Sequence, residues 1–519
     1  MPEFLEGRLV HISMKDVGMY FSQLKKWTGL GLMVVCSCAL AQKNAGRDQF
    51  FWLGQINKAS AVINVDEGLL ERDKAPKIAA GIAKVMADGD QPGAARPFRV
   101  VEFEPLLIRA AGQEASLLHA GRSSQDMFAT YRAAIMRDNL LDLADQLNKT
   151  SETLVRLSEK HAQTIVPNYT NGIAAQPNSL GHAWLGHAAG FERDAQRIRE
   201  AYARIDRSPM GTTVLNGSSW PLNRTRMANY LGFETIVDNA YDAAQISSSE
   251  YPVEVSAIVT SIGLHTGHFI QDVMSQYGQI RPWIFLVPLR FVNTQISSAM
   301  PQKQNPILLT ETRREISSTL ALAMGPMMRA HNITPGMQDP KEESSNTEMV
   351  QSAVQFLKRF DRILNALVVD PDRALEELNS DWTASQELAD VLMRKYKVPF
   401  RVGHHFSTDI VKHAKQHNIK PLDFPYAEAK RIYKEVMKEF DPQMELPMSE
   451  VEFKSTLNPV AIVQNRATVG GPQASEMKRM VALAKDKLKD QQKWTTEKRQ
   501  KINQSLALLE KDFQRLLQP

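Results

Sequence analysis

The chain of 519 residues contains only two cysteines, Cys36 and Cys38, and both lie near its N-terminus. Removal of that segment would leave no thiol, no disulfide and no cysteine metal site. The formal net charge is only +4 and is spread along the chain apart from a basic C-terminal segment, so no nucleic-acid partner is predicted. These absences describe a large globular protein, in which 43% hydrophobic residues can fill more than one core.

The first 41 residues have the pattern of a secretory signal. Lys25 and Lys26 precede a short apolar run that ends in small residues, the last of which is Ala41. This run is shorter than the roughly 20 residues that a membrane-spanning helix needs, so no stable membrane span is predicted. We expect cleavage to leave Gln42 as the first residue of an exported, periplasmic protein.

Two other interpretations of this segment stay open. A lipobox-like pattern around Cys38 would give a lipid anchor, although Cys36 is bulky for that motif. The segment could also form a buried N-terminal helix. Residues 1–13 are interpreted as a misassigned start or a cloning remnant, since Met14 would begin a more ordinary signal.

Beyond residue 45 the apolar residues recur at helical spacing. One set is three or four residues apart and predicts one helix face: Val354, Leu357, Phe360, Leu364 and Leu367. A second set does the same: Ile258, Ile262, Phe269 and Val273. Few segments show the alternation of a half-buried strand. The sequence therefore predicts a mostly α protein with a bundle of long helices.

Clusters of helix-breaking residues divide this helical pattern. Pro, Gly, Ser and Asn concentrate in residues 208–225, and Pro371 interrupts a helix. Apolar residues in the C-terminal segment predict a terminal amphipathic helix: Leu506, Leu509, Phe513 and Leu516. The predicted segments are an N-terminal helical domain 42–125, a central bundle 126–370, a C-terminal helical domain 371–480 and a basic tail 481–519.

Residues 296–306 read "ISSAMPQKQNP", which resembles the signature loop of the fumarase/aspartase superfamily. Further segments resemble argininosuccinate lyase: "LHAGRSSQD" (118–126), "YTNGIAAQPNSLGH" (169–182), "LHTGHFIQD" (264–272), "MQDPKEE" (337–343), "YKVPFRVGHH" (396–405) and "NPVAIVQNRATVGG" (458–471). The resemblance implies a three-domain α fold without a cofactor. It also implies a homotetramer whose active sites are each built from three subunits and bind a small dicarboxylate.

The resemblance also implies the chemistry of the loop. Such lyases remove a proton beside a carboxylate and then expel an amine, so they need a base and cations aimed at the developing dianion. It assigns the base to Ser297, with backbone N–H groups and Lys303 stabilising its alkoxide. Ser298 and Asn305 would contact substrate.

Other segments carry further substrate-binding positions by resemblance: Ser123, Ser124, Gln125, Thr170, Asn171, Gln176, Gln338 and Lys341. Gln338 and Lys341 would bind the carboxylate of the leaving amine. Taken alone, Ser123 or Thr170 could cap a helix and Lys341 could be a solvated surface lysine. Structural roles are expected for three histidines: His119, His182 and His265. No metal-ligand spacing is present.

The sequence departs from argininosuccinate lyases at several site positions. Asn171 and Thr310 stand where the family has a paired histidine and glutamate, which indicates a rebuilt site. "SSQD" replaces "SRND" and is similar to adenylosuccinate lyases and carboxymuconate cycloisomerases. Ile333 replaces a tyrosine of the amine pocket, and Ile296 replaces the loop glycine, which would stiffen the loop.

The expected function is therefore an exported C–N lyase that releases fumarate from an N-substituted aspartate, either argininosuccinate or a related amino-dicarboxylate. Two alternatives stay open at this point. One is a carboxymuconate cycloisomerase-like enzyme, and the other is a non-catalytic homologue with a ligand-binding or structural role.

Overall fold

The computed structural model describes residues 47–518 and is mostly α-helical. The predicted signal segment, its cysteines and Gln42 lie outside these residues. The helices are α1 (Gln49–Asp66), α2 (Ala75–Gly89), α3 (Val100–Ala111), α4 (Ser124–Lys160), α5 (Leu180–Ile205), α6 (Arg224–Tyr230), α7 (Ser247–Gln276), α8 (Ile307–Ala330), α9 (Glu343–Ala366), α10 (Pro371–Ser380), α11 (Gln386–Tyr396), α12 (Phe400–His417), α13 (Tyr426–Met437), α14 (Glu450–Thr456), α15 (Pro459–Gln464) and α16 (Ala474–Leu516). None of these helices is long and apolar enough to cross a bilayer.

The strands are short and form two-stranded pairs. They are β1 (Ile165–Thr170), β2 (Ile173–Ser179), β3 (Arg207–Ser208), β4 (Thr235–Ile236), β5 (Ile284–Leu286), β6 (Gln295–Ile296), β7 (Gln304–Asn305) and β8 (Leu367–Val369). β1–β2, β5–β8 and β6–β7 are antiparallel, and β3–β4 is parallel. A π-helical turn, Asp242–Ile246, leads directly into α7.

The described chain forms two compact units. The first consists of the described residues up to Ala120 together with those from Leu509 onward, and the second is Gly121–Leu508. In the first unit, α2 packs against both α1 and α3. Lys58 of α1 forms an ion pair with Glu510 at 2.6 Å. The boundaries predicted from the sequence at residues 125, 370 and 480 stay predictions.

The second unit contains the predicted bundle of long helices. α4 packs against α5 and α9, and α8 packs against α7 and α9. The apolar residues predicted to face the core of α7 are buried there: Ile258, Ile262, Phe269 and Val273. Those predicted for α9 are buried up to Leu364, but Leu367 lies in β8 and pairs with Leu286. The prediction that Leu367 continues the helix was wrong, because the chain turns there to add a strand to β5.

This unit also contains a separate apolar cluster and most of the long helix α16. The segment 382–457 has its own apolar cluster, centred on Leu388, Phe406 and Tyr433. α16 runs alongside α4 and α5. Ion pairs hold it there, and one of them joins Lys485 Nζ to Glu159 Oε1 at 2.7 Å. Leu509 and Phe513 of α16 are buried whereas Gln514 and Arg515 are exposed, so the predicted terminal amphipathic helix is confirmed.

Candidate active site

The signature loop forms a small hairpin. β6 and β7 pair antiparallel, and the Ser297 N–H donates to the Lys303 carbonyl at 3.0 Å. Asn305 Nδ2 donates to the Gln295 carbonyl at 3.3 Å, so this amide holds the base of the loop. Ile296 is exposed in β6 and is not among the described residues with positive φ. Its backbone therefore does not need the freedom of glycine in this conformation.

The Ser297 hydroxyl lies in the turn of this hairpin. Its Oγ accepts hydrogen bonds from the N–H groups of Ala299 at 3.3 Å and Met300 at 3.2 Å. Hydrogen bonds to an oxygen favour its anionic form, so the turn can stabilise an alkoxide at Ser297. Ser298 and Lys303 are exposed, whereas Ser297 is half-buried. The loop thus gives its two serines different environments.

A second group of predicted residues lies at the start of α4. Ser123 is the N-cap of α4, and its N–H donates to the Asp126 carboxylate at 2.8 Å in a capping box. The capping role considered for Ser123 is therefore present, and it fixes the direction in which α4 begins. Ser124 and Gln125 follow in the first turn and are half-buried.

Gln338 links the start of α4 to the segment that follows α8. Its Nε2 donates to Gln125 Oε1 at 2.9 Å and to the Gly336 carbonyl at 3.1 Å. Arg132 of α4 donates through Nη2 to Gln338 Oε1 at 2.8 Å. Both ends of the Gln338 amide are thus held. Arg132 was not predicted from the sequence, although a lone cation in the apolar run "MFATYRAAIM" was a signal.

Lys341 is buried, with only 4% of its surface exposed. Its Nζ donates to the Ala244 carbonyl at 2.8 Å and lies 3.4 Å from Gln245 Oε1, both in the π-helical turn. Burial, assisted by the like charge of Arg132, lowers the pKa of Lys341 to about 8. Gln245 also accepts from the Gly336 N–H at 2.7 Å, and no sequence pattern indicates this role.

Lys341 and Gln245 line a cavity of about 410 Å³ between α7 and the segment after α8. Its wall also contains Glu250, Ile333 and Thr334. A volume in this range suits a small metabolite. The cavity therefore offers a buried cation, a carboxylate and an apolar surface to one small ligand.

The remaining predicted residues lie on the β1–β2 hairpin. Thr170, Asn171 and Gln176 are exposed, and Gln176 Nε2 donates to Gln386 Oε1 at 2.9 Å. Asn171 and Gly172 form the two-residue turn, with φ values of 53° and 79°. Within residues 47–518 no hydrogen bond joins these three side chains to the signature loop or to Lys341. The chain thus presents the predicted residues in three separate groups.

The histidines expected to be structural make local contacts. His265 Nδ1 lies 2.6 Å from the buried Asp194 carboxylate, and His182 Nε2 lies 2.8 Å from the Gly470 carbonyl. His119 is half-exposed and lies 3.8 Å from Glu104. None of these three contacts involves a predicted substrate-binding residue.

Comparison with known proteins gives two family matches and relatives that are matched over most of their length. Residues 45–318 match the family described as "Lyase", and residues 382–464 match "Argininosuccinate lyase C-terminal". An argininosuccinate lyase of Geobacillus thermodenitrificans is 30% identical over 75% of this chain and 81% of its own. One of Methanocaldococcus jannaschii is 26% identical over 87% of this chain and 91% of its own.

Solved structures share the fold. The crystal structure of EDDS lyase in complex with formate has a TM-score of 0.81 at 22% identity and covers 91% of this chain and 92% of its own. A 3-carboxy-cis,cis-muconate lactonizing enzyme from Pseudomonas putida has a TM-score of 0.60 at 18% identity, covering 88% and 97%. The chain is an argininosuccinate lyase-like member of the fumarase/aspartase superfamily, and it is a carbon–nitrogen lyase.

Proposed function

We propose that the protein releases fumarate from an N-substituted aspartate, with Ser297 removing the Cβ proton before the amine leaves. The hydrogen bonds from Ala299 and Met300 to the Ser297 oxygen carry this proposal. An ordinary serine is far too weak a base near neutral pH, and two backbone donors that already face the oxygen lower the cost of its alkoxide. Lys303 of the same loop would stabilise this alkoxide further, and Asn305 would bind a substrate carboxylate.

The leaving amine would bind in the cavity beside Lys341. A buried ammonium is costly unless it meets a negative charge, so a carboxylate on the leaving group would stabilise the protonated Lys341. Glu250 in the same wall would face a cationic amine of that group. These charges favour a leaving group that is itself an amino acid. Ile333 lines the cavity without a polar atom, so it offers no hydrogen bond to a guanidinium.

We propose a homotetramer in which each active site combines the three groups from different subunits. The separation of these groups within one subunit supports this arrangement. Gln125, Gln338 and Lys341 form one group, the signature loop forms the second, and the β1–β2 hairpin forms the third. Small-angle scattering or sedimentation of the purified protein would measure the oligomeric state.

We also propose that the protein is exported after cleavage behind Ala41. The charged and apolar pattern of residues 1–41 supports this location. A periplasmic site would favour a degradative role for secondary amine dicarboxylates over arginine biosynthesis. Attachment of lipid to Cys38 would instead place the same enzyme on a membrane surface.

The test is fumarate formation, followed by absorbance, from a panel of N-substituted aspartates with different leaving amines. Ser297→Ala should lower turnover by about 10²–10⁴-fold while substrate binding persists, because the lost step follows binding. Ser298→Ala changes the neighbouring exposed serine of the same loop and should lower turnover less than Ser297→Ala does. Normal turnover in Ser297→Ala would contradict the base assignment, and no fumarate from any member of the panel would contradict the reaction.

A further inference from the structure

A second cavity, of about 240 Å³, lies behind the β1–β2 hairpin and is separate from the one beside Lys341. Aromatic side chains make up much of its wall: Tyr169, Trp184, Phe269 and Trp283. Trp184, Phe269 and Trp283 are at most 5% exposed. The ring faces of such side chains carry partial negative charge and attract cations. The cavity is therefore an aromatic enclosure of a size that suits a small ligand.

Gln276 lines this cavity, and its Oε1 accepts no hydrogen bond from the described residues although the side chain is 2% exposed. Tyr169 donates its hydroxyl proton to Glu377, and Trp283 Nε1 donates to the Tyr169 oxygen at 3.0 Å. Gln279 Nε2 also lies 3.4 Å from the Tyr169 oxygen, so two N–H donors already face its lone pairs. Gln276 Oε1 is left as an unpaired buried acceptor.

The formal charge of the lining is negative. No lysine or arginine lines the cavity, and its one carboxylate is Asp272, which is well exposed. His187 Nε2 lies 3.2 Å from Asp272 Oδ2, so this pair borders the more exposed side. One carboxylate at the exposed side, aromatic walls and an unpaired acceptor all favour a ligand that carries a positive charge and N–H donors.

We propose that this cavity binds a small organic ammonium ion, with an N–H group donating to Gln276 Oε1 and the charge facing the aromatic side chains and Asp272. The site contains Tyr169, which is adjacent to Thr170 in β1. An ammonium ion bound here would therefore contact the strand that carries predicted substrate-binding residues. It would do so without occupying the cavity beside Lys341.

The test is calorimetric titration of the full chain with n-butylammonium chloride. Butan-1-ol and sodium butyrate are the probes of matched size that lack the cation. We expect saturable binding of one butylammonium ion per subunit, and binding of either control that is weaker by about tenfold or more. No saturable binding of butylammonium, or equal binding of the alcohol, would overturn the proposal.

Variants assign the binding to this cavity. Gln276→Met and Asp272→Asn should each weaken butylammonium binding by several-fold or more, whereas Gln271→Met, an exposed glutamine of the same helix, should not. Gln276→Glu should tighten butylammonium binding. This second variant tests the role of position 276 if Gln276→Met does not fold. Binding that survives Gln276→Met and is lost in Glu250→Gln would move the ion to the other cavity and overturn the proposal.

Discussion

Replacing Lys341 with methionine tests whether this buried cation binds the carboxylate of the leaving amine. The pKa of Lys341 is lowered to about 8, chiefly by burial. A lysine with this pKa is about nine-tenths protonated at pH 7 and about one-tenth protonated at pH 9. We therefore expect KM for a substrate whose leaving group carries a carboxylate to rise about tenfold between these two pH values, because only the protonated form binds it.

The titration of Lys341 also affects folding stability, which should rise with pH while substrate binding weakens. In the unfolded chain Lys341 regains its ordinary pKa of 10.5, so between about pH 8 and 10.5 the unfolded state binds more protons than the folded state. Stability relative to a Lys341→Met variant should therefore rise with pH through this window. Below about pH 8, Lys341 is protonated in the folded protein, so its buried charge lowers the stability. Urea unfolding of both proteins at several pH values measures the difference.

Lys341→Met keeps the length of the side chain and removes the ammonium. At pH 7 its KM should be higher by about tenfold or more, the value of one hydrogen bond to a charged group. Its KM should no longer change between pH 7 and pH 9. Lys358→Met, at an exposed position of α9, is the matched control and should behave as the parent does. A Lys341→Met enzyme with the parent's KM and the parent's pH dependence would refute this role.

Three further outcomes are expected. The kcat/KM for argininosuccinate should be lower by about tenfold or more than that for the best substrate of the panel, because Ser124 and Ile333 lack the polar groups that the family has at these positions. Efficient cleavage of argininosuccinate would disprove this. Mass spectrometry of exported protein should find Gln42 first, and an intact segment on cytoplasmic protein would end the export proposal. Arg137→Met should lower the free energy of unfolding by about 3 kcal/mol, measured in urea. It leaves the buried Asp206 carboxylate with only Lys498, at 3.7 Å, and removes the donors to the Leu231 and Gly232 carbonyls. An unchanged unfolding midpoint would contradict that estimate.

Helical periodicity predicted the bundle because burial on one helix face is a local pattern. Ile258 and Phe269 could be assigned to the core of α7 from spacing alone. Leu367 could not be assigned to β8, because the strand exists only where it pairs with Leu286, far away in the sequence. The same limit applies to the units of the chain, which depend on packing between distant segments.

The sequence predicts which residues belong to the site, but it does not predict the environment of each side chain. The motif located Ser297, but the two N–H groups that face its oxygen depend on the conformation of the turn. Lys341 taken alone suggested a surface lysine, and its burial depends on the π-helical turn that supplies Ala244. Arg132 acts through Gln338, which lies more than two hundred residues later. The contacts of Lys341 with Ala244 and of Arg132 with Gln338 join distant segments, so no local sequence pattern predicts them.

Asn171, a predicted site residue, also has a role in local structure. The residue replaces the family's histidine, and from the sequence it was interpreted only as a change in the pocket. In the structure Asn171 and Gly172 both have positive φ between antiparallel strands, the conformation that an Asn-Gly pair favours in a two-residue hairpin. Asparagine tolerates this conformation better than most residues, so the substitution stabilises the hairpin that presents Thr170 and Gln176. The dipeptide was visible in the sequence, and its local role is independent of any substrate contact that Asn171 makes.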